Sequence, residues 1–290
     1  MSNNLVDISI TVELVQSILK PRDKDSHKGT YGHALIIAGS EGVMGSAVLA
    51  SKACLRSGAG LVTVHVPICG VEILQTSIPE AMISSDAKKS CFTDDVNIEK
   101  YTVVAVGPGI GTNALTQNAI HTLLKKAKSP MVLDADGLNC LSLNKEWFSL
   151  IPKNSILTPH PKEFERLLGS WQNDEQKIEK LKSFSNQLEV IVVLKGSKTL
   201  ISVPGGKLYQ NSTGNPGMAK GGSGDVLTGM ITAFLAQGYS SEESAILGVY
   251  IHGLAGDLAV KEFSENSLLA TDFIEFIPKA FLKLIMKGSN

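Results

Sequence analysis

Five short apolar runs along this sequence end, one after another, in a cluster of glycines or functional side chains. Residues 33–38 (HALIIA) lead into GSEGVMG, 102–106 (TVVAV) into GPGIG, 131–133 into DADGLN, 155–157 into TPHPKE and 191–194 into KGSKT. Runs this short and this continuously apolar suit strands buried on both faces, the pattern of a parallel sheet covered by helices. Between them the apolar spacing is helical. Met44, Ala47, Val48, Cys54 and Leu55 can share one face of a helix over 44–57, and Leu115, Ala119, Leu123 and Leu124 one face over 113–127. Residues 61–66 read as a further strand, and 199–203 as a hairpin partner of 191–194. Helices are expected over 225–237, 241–260 and 271–286. The expectation is one α/β domain over 1–290, with a central, mostly parallel sheet and helices on both faces. In such sheets ligands sit beyond the carboxyl ends of the strands, which is where all five clusters fall.

Composition narrows the function. The 290 residues carry a formal net charge of -1 and no long run of Lys or Arg, which argues against a nucleic-acid or anionic-membrane partner. The longest apolar stretches are strand-sized, too short to span a bilayer. The first residues, MSNNLVDISITVELV, lack the basic-then-apolar order of a secretory signal. Cys54, Cys69, Cys91 and Cys140 form no CxxC pair and have no histidine at ligand spacing. They read as free thiols in a reducing compartment, and the chain as cytoplasmic.

The strongest local signal is NSTGNPGMAKGGSGD, residues 211–225, running straight into an apolar helix. Gly221, Gly222 and Gly224 allow close backbone approach, and a helix start offers unpaired N–H groups at a positive dipole end. That suits a phosphate, and a side chain at Gly222 is expected to fall where the phosphate lies. Asp225 at the helix start can act as a base toward a hydroxyl, or can simply cap the helix. No GxxxxGK[ST] or strand-following GxGxxG is present, which disfavours a P-loop or a dinucleotide turn. His160 lies between two prolines that fix the local backbone. It is either oriented at the mouth of a site or part of a capped turn with Glu163. Asp134 and Asp136 can support a metal-bound phosphate or the substrate, or can cap and solvate the next helix. Lys195 and Thr199 can meet a nucleotide. His27, His33, His65, His121 and His252 show no ligand spacing and read as structural or solvated.

Taken in order, HKGTYGHALIIAGSEGVMG, VGPGIG, LDADGLN, LTPHPKEFERLLG, VLKGSKT and NPGMAKGGSGDVLTGMITAFLAQG resemble the ADP-dependent NAD(P)H-hydrate dehydratases of the ribokinase-like superfamily. GGSGD alone is shared across ribokinase-like kinases; its combination with HKGxxG and TPHPxE is more specific. The resemblance implies dehydration of the S epimer of NADHX or NADPHX to NADH or NADPH, with ADP giving AMP and phosphate. It implies Asp225 as the base that activates the substrate hydroxyl, with Gly222, Ser223 and Gly224 as the anion hole. Lys195, Gly196, Ser197, Lys198, Thr199 and Gly224 would meet the nucleotide. Ser46, Ala47, Gly109 and His160 would line the hydrate pocket, and Mg²⁺ would accompany the phosphates. Ser46 stands where the family usually has alanine. Many relatives carry an epimerase domain ahead of this module. About 26 residues precede HKGTYG here, so a separate epimerase is expected for the R hydrate. A kinase of the same fold acting on a vitamin-precursor alcohol is the alternative. A homo-oligomer is expected, through apolar faces of the C-terminal helices.

Overall fold

The computed structural model describes residues 6–93 and 95–286. Among them ten strands form one sheet: β1 (Ile8–Ser9), β2 (His33–Ile37), β3 (Leu61–Val66), β4 (Met82–Ser85), β5 (Val103–Val106), β6 (Met131–Leu133), β7 (Ile156–Leu157), β8 (Ile191–Leu194), β9 (Leu200–Ser202) and β10 (Leu208–Gln210). Their spatial order is β1-β10-β9-β8-β7-β6-β5-β2-β3-β4. Only β9 runs against its neighbours, β8 and β10; every other pairing is parallel. The expected hairpin of β8 with β9 is present. The edge strands β1 and β4, and β10 inside β1, were not among the expected elements.

Side chains alternate between two cores, as the period of a strand requires. Ala34, Ile36, Val103, Ala105, Ile191 and Val193 point to one face. Leu35, Ile37, Val104, Val106, Val192 and Leu194 point to the other. The first face is covered by α1 (Val12–Ile18), α2 (Gly45–Arg56), α3 (Val71–Ser77), α8 (Ser223–Ala236), α9 (Ser241–Ala259) and α10 (Ala270–Met286). The second is covered by α4 (Ala114–Lys126), α5 (Ala135–Leu143), α6 (Pro161–Leu168) and α7 (Asp174–Leu188). Burial on both faces explains why the central strands are short unbroken apolar runs.

Strand order reverses between β2 and β5. The chain leaves β2 toward α2 on one face and β5 toward α4 on the other, so a crevice opens where the two loops part. The floor of that crevice is set by the packing of α2 on α8. A Cβ on Gly229 would lie 2.0 Å from the Ala50 carbonyl oxygen and 3.0 Å from Ala53 Cβ, so the two helix backbones touch. With both helices starting at the carboxyl edge, this contact brings their amino termini side by side. Among the described residues no helix is long and apolar enough to cross a membrane. All four cysteines are free, with Cys54 and Cys140 buried.

Candidate active site

The loops that follow β2, β5 and β6 are knitted together through their backbones. Gly39 N–H donates to the Pro108 carbonyl (2.7 Å), and Ser40 Oγ to the Gly109 carbonyl (2.7 Å). Gly111 N–H donates to Asp136 (2.9 Å), whose other oxygen accepts from Asn139 (3.1 Å). Gly107 adopts φ +134°, and a Cβ there would strike the Asp134 carbonyl oxygen at 1.8 Å, so only glycine lets these loops meet. A Cβ on Gly109 would lie 3.0 Å from Ser46 Oγ, which puts GPGIG directly over the start of α2.

Asp225 faces Ser46 across the gap between the two helix starts, and the Ser46 hydroxyl favours its charged form. Helix α8 begins at Ser223 with Gly222 as its cap, so Asp225 is the third helical residue and not the cap. Gly222 has no side chain to cap with, and helix geometry leaves the N–H groups of Gly224 and Asp225 without intrahelical acceptors. Burial raises the Asp225 carboxyl from 3.8 to about 6. Asp134 adds to the rise and Asp136 contributes last, while the Ser46 hydroxyl and Lys195 oppose it. The result is a carboxylate in a donor-rich recess, charged at neutral pH but close to its titration point.

Asp134 is buried and saturated. One oxygen accepts from Thr158 Oγ1 (2.7 Å) and Lys195 Nζ (2.7 Å), the other from Thr228 Oγ1 (2.8 Å). It therefore anchors Lys195 beneath α8: a Cβ on Gly224 would lie 3.2 Å from the ammonium. A cation at the positive end of a helix needs a counter-charge, which Asp134 supplies. Thr158 and Thr228 were not singled out from sequence, although Thr228 sits one turn beyond Asp225 and Thr158 two residues before His160.

The remaining expected residues divide. Gly196, Ser197 and Lys198 form an exposed turn closed by Thr199 Oγ1 on the Gly196 carbonyl (3.1 Å), and the Lys195 N–H on the Pro159 carbonyl (2.9 Å) ties it to the TPHP loop. Ala47 follows Ser46 on α2 with its methyl fully buried in the core, which leaves its backbone as the part that can face the crevice. Gly222 departs from expectation. It holds φ +89°, and a Cβ would run into Leu49 Cδ1 at 2.5 Å and Ala270 Cβ at 3.1 Å rather than into open cleft. His160 is the N-cap of α6. Its Nδ1 accepts from the N–H groups of Lys162 (3.1 Å) and Glu163 (3.2 Å), while Glu163 accepts the His160 N–H in return (2.8 Å). The capped turn is thus present, and the side chain remains 44% exposed at the crevice rim. His252, read as structural, lies behind the Gly-rich start of α8 with Nε2 3.4 Å from Ser223 Oγ.

Volume alone does not mark this site. A cavity of about 520 Å³ opens at the opposite end of the strands, beside Thr102, Pro130, Asn154, Tyr239 and Glu242, and none of the Gly-rich motifs borders it.

The profile of the NAD(P)H-hydrate dehydratase family matches residues 34–279, which takes in the whole of this crevice. The chain belongs to that family. As a NAD(P)H-hydrate dehydratase family member it is 36% identical over 279 residues to the bifunctional NAD(P)H-hydrate repair enzyme Nnr of Moorella thermoacetica, covering 93% of this chain and 53% of that protein. It spans about half the length of the first curated relatives it matches. The ADP-dependent (S)-NAD(P)H-hydrate dehydratase of Bacillus subtilis is 36% identical over 273 residues, covering 93% of this chain and 96% of the relative. The crystal structure of an ADP/ATP-dependent NAD(P)H-hydrate dehydratase from Bacillus subtilis, co-crystallised with ATP/Mg²⁺, superposes with a TM-score of 0.86 at 35% identity, over 96% of this chain and 98% of that one. A ribokinase-like superfamily protein from Enterococcus faecalis superposes at 0.85 with 28% identity, over 98% of each chain. The family's fold is accordingly ribokinase-like.

Proposed function

We propose that this chain dehydrates the S epimer of NADHX and NADPHX at the expense of ADP, yielding NADH or NADPH, AMP and phosphate. The observation that carries the reading is the meeting of two helix starts. Asp225 is held at about 6 beside Ser46, with the Gly224 and Asp225 N–H groups and the Lys195 ammonium converging on the same recess. A carboxylate with that value is ionised at neutral pH yet basic enough to accept a proton in a transition state. It takes the proton of the hydrate's ring hydroxyl as the oxygen attacks the β-phosphorus of ADP, and AMP leaves. The phosphorylated hydrate then loses phosphate and a ring proton, forming the double bond of the reduced nicotinamide. Gly222–Gly224 and Lys195 hold the negative charge that develops, a preorganised stabilisation that water cannot match. ADP use draws support from the names of the similar enzymes.

Residues 195–199 flank the phosphate recess from the β8 side and would hold the nucleotide. Gly109, Ser46 and His160 border it from the β2, β5 and β7 sides and would meet the hydrate. Mg²⁺ fits as a companion of the phosphates. Among the described residues no group of three or more His, Cys, Asp or Glu side chains could cage a metal. The oxygens of Asp134 and Asp136 already accept from protein donors. A cation carried mainly by phosphate oxygens and water needs no such cage, and when bound it would neutralise phosphate charge. A cytoplasmic location and a homo-oligomeric state belong to the same reading. Incubation with chemically hydrated NADH and ADP, followed at the absorbance of reduced nicotinamide, tests it. Recovery of that absorbance with AMP release is expected; a stable phosphorylated product would favour a kinase instead.

A further inference from the structure

Helix α9 brings one buried titratable group to the back of the anion loop that the mechanism above does not use. His252 is 9% exposed and packs edge-on against Phe273, with ring centroids 5.8 Å apart and planes at 88°. Its Nε2 lies 3.4 Å from Ser223 Oγ. The helix that carries the ring is packed tightly against its neighbours. A Cβ on Gly248 would lie 2.5 Å from Ile231 Cγ1, pressing α9 onto α8, and one on Gly253 would lie 2.3 Å from Thr213 Oγ1.

Burial drives this imidazole down to about 4, and the nearby Lys195 ammonium lowers it too, so the ring is neutral at working pH. A neutral imidazole has one N–H donor and one acceptor nitrogen. With Nε2 as acceptor, the serine O–H would point away from the recess and present only lone pairs to an incoming anion. With Nε2–H as donor, the hydroxyl proton is free to point into the recess. A phosphate there stabilises the second arrangement.

We propose that His252 is a positioning residue for phosphoryl transfer: Nε2–H donates to Ser223 Oγ and turns the serine hydroxyl outward as a donor to the transferring phosphate. The inference rests on the dehydratase reading for the identity of that phosphate. A neutral ring suits the place, because a second cation would crowd the Lys195 ammonium and the positive end of α8. The hydroxyl adds a donor beside the backbone N–H groups and reaches the β-phosphate of ADP, which AMP lacks.

The test is a double-mutant cycle in the full chain, read by calorimetric titration with ADP and with AMP and by turnover of hydrated NADH. His252→Phe keeps the ring and its packing on Phe273 but removes the hydrogen bond. It should weaken ADP about tenfold, about 1.4 kcal/mol, and leave AMP unchanged. Ser223→Ala should do the same, and the double variant should be no worse than Ser223→Ala alone. His252→Gln, which places an N–H near the position of Nε2, should retain most of the ADP affinity and turnover. It also provides an independent reading if the Phe variant does not fold. Additive losses in the double variant, equal weakening of ADP and AMP, or a Gln variant as impaired as Phe at unchanged melting temperature would each overturn the proposal. The titrations need no hydrate, so failure of the wild-type chain to turn over hydrated NADH would count against the dehydratase reading and leave the ADP–AMP contrast to judge His252.

Discussion

Replacing Asp225 by Asn should cripple catalysis and at the same time make the protein more stable. The carboxyl is raised from 3.8 to about 6 chiefly by burial, with Asp134 as the next cause. At pH 7 the folded chain therefore holds a charge it would prefer to neutralise, while the unfolded chain holds the same charge in water. At 1.36 kcal/mol for each pH unit between the two values, the penalty is about 3 kcal/mol as an upper bound. Asn is nearly the same size, keeps an acceptor oxygen and carries no charge. For a chain of 290 residues, unfolding entropy near 60 °C is roughly 0.6 kcal/mol/K. Removing the penalty should then raise the melting temperature by up to about 5 °C. The sign reverses the usual acid behaviour. Because the folded value is the higher one, the penalty is full above about 6, fades as pH falls through the interval from 6 to 3.8, and is absent below it. Calorimetric scans of both proteins at pH 7.5 and pH 4.5 are the assay, alongside steady-state rates with hydrated NADH. A rate loss of about 10²–10⁴-fold is expected. Equal melting temperatures at pH 7.5, or a difference that persists unchanged at pH 4.5, would refute the picture of a strained, buried base.

The same carboxylate sets the acid limb of activity: kcat/KM should fall about tenfold per pH unit below about 6, and a limb centred near 4 in a pH-rate profile would contradict it. Glycines two positions apart should behave differently. Gly222→Ala, at φ +89° and against Leu49, should lower stability by about 1–3 kcal/mol, whereas Gly224→Ala, whose Cβ meets Lys195 Nζ, should chiefly weaken ADP; thermal melts and ADP titrations distinguish them. His160→Ala should cost about 1 kcal/mol of stability through loss of the α6 cap, and His160→Asn, a good cap, should restore it. If the Asn variant melts normally but shows a KM for hydrated NADH raised about 2- to 12-fold, the imidazole itself meets the hydrate; a normal KM would leave His160 a cap only.

What could be read in advance follows burial. Val103–Val106 is buried on both faces and stands out as an unbroken apolar run, as does Ile191–Leu194, while Leu61–Val66 is interrupted only by the buried Thr63 and His65. Met82–Ser85 is an edge strand with its ends exposed, and Ile8–Ser9 has two residues, so neither leaves a period to detect. Helix α7 does carry a signal, with Ile178, Leu181, Phe184 and Ser185 on one face and Asn173 as its cap, but no chemistry-bearing cluster draws attention to it. At the site, GGSGD and DADGLN mark the location because their glycines and carboxylates are local. The depth of Ala47, the clash that confines Gly222, and the hold of Asp134 on Lys195 depend on residues 61 or more positions apart, or on the neighbouring helix, and no spacing rule exposes them. His160 shows the opposite case: both readings open at the sequence level are compatible with one side chain, because the cap uses Nδ1 while the ring, with Nε2 3.3 Å from Glu163 Oε1, stays 44% exposed.

The contact of Gly229 with the Ala50 carbonyl has a consequence for how such an enzyme can diversify. Asp225 lies four residues before Gly229, about 6 Å along α8, so the spacing between base and Ser46 is inherited from a seam too tight for even one methyl group. Tinkering with catalysis and tinkering with recognition are thereby uncoupled. The turn at 196–198 is solvent-facing and meets nothing that sets the helix spacing, so it can drift in sequence and trial new ligands while the reactive geometry stays in register. A substitution inside the seam has no such latitude: it would shift both helix starts together, and the base, Ser46 and the anion recess would all lose alignment in one step.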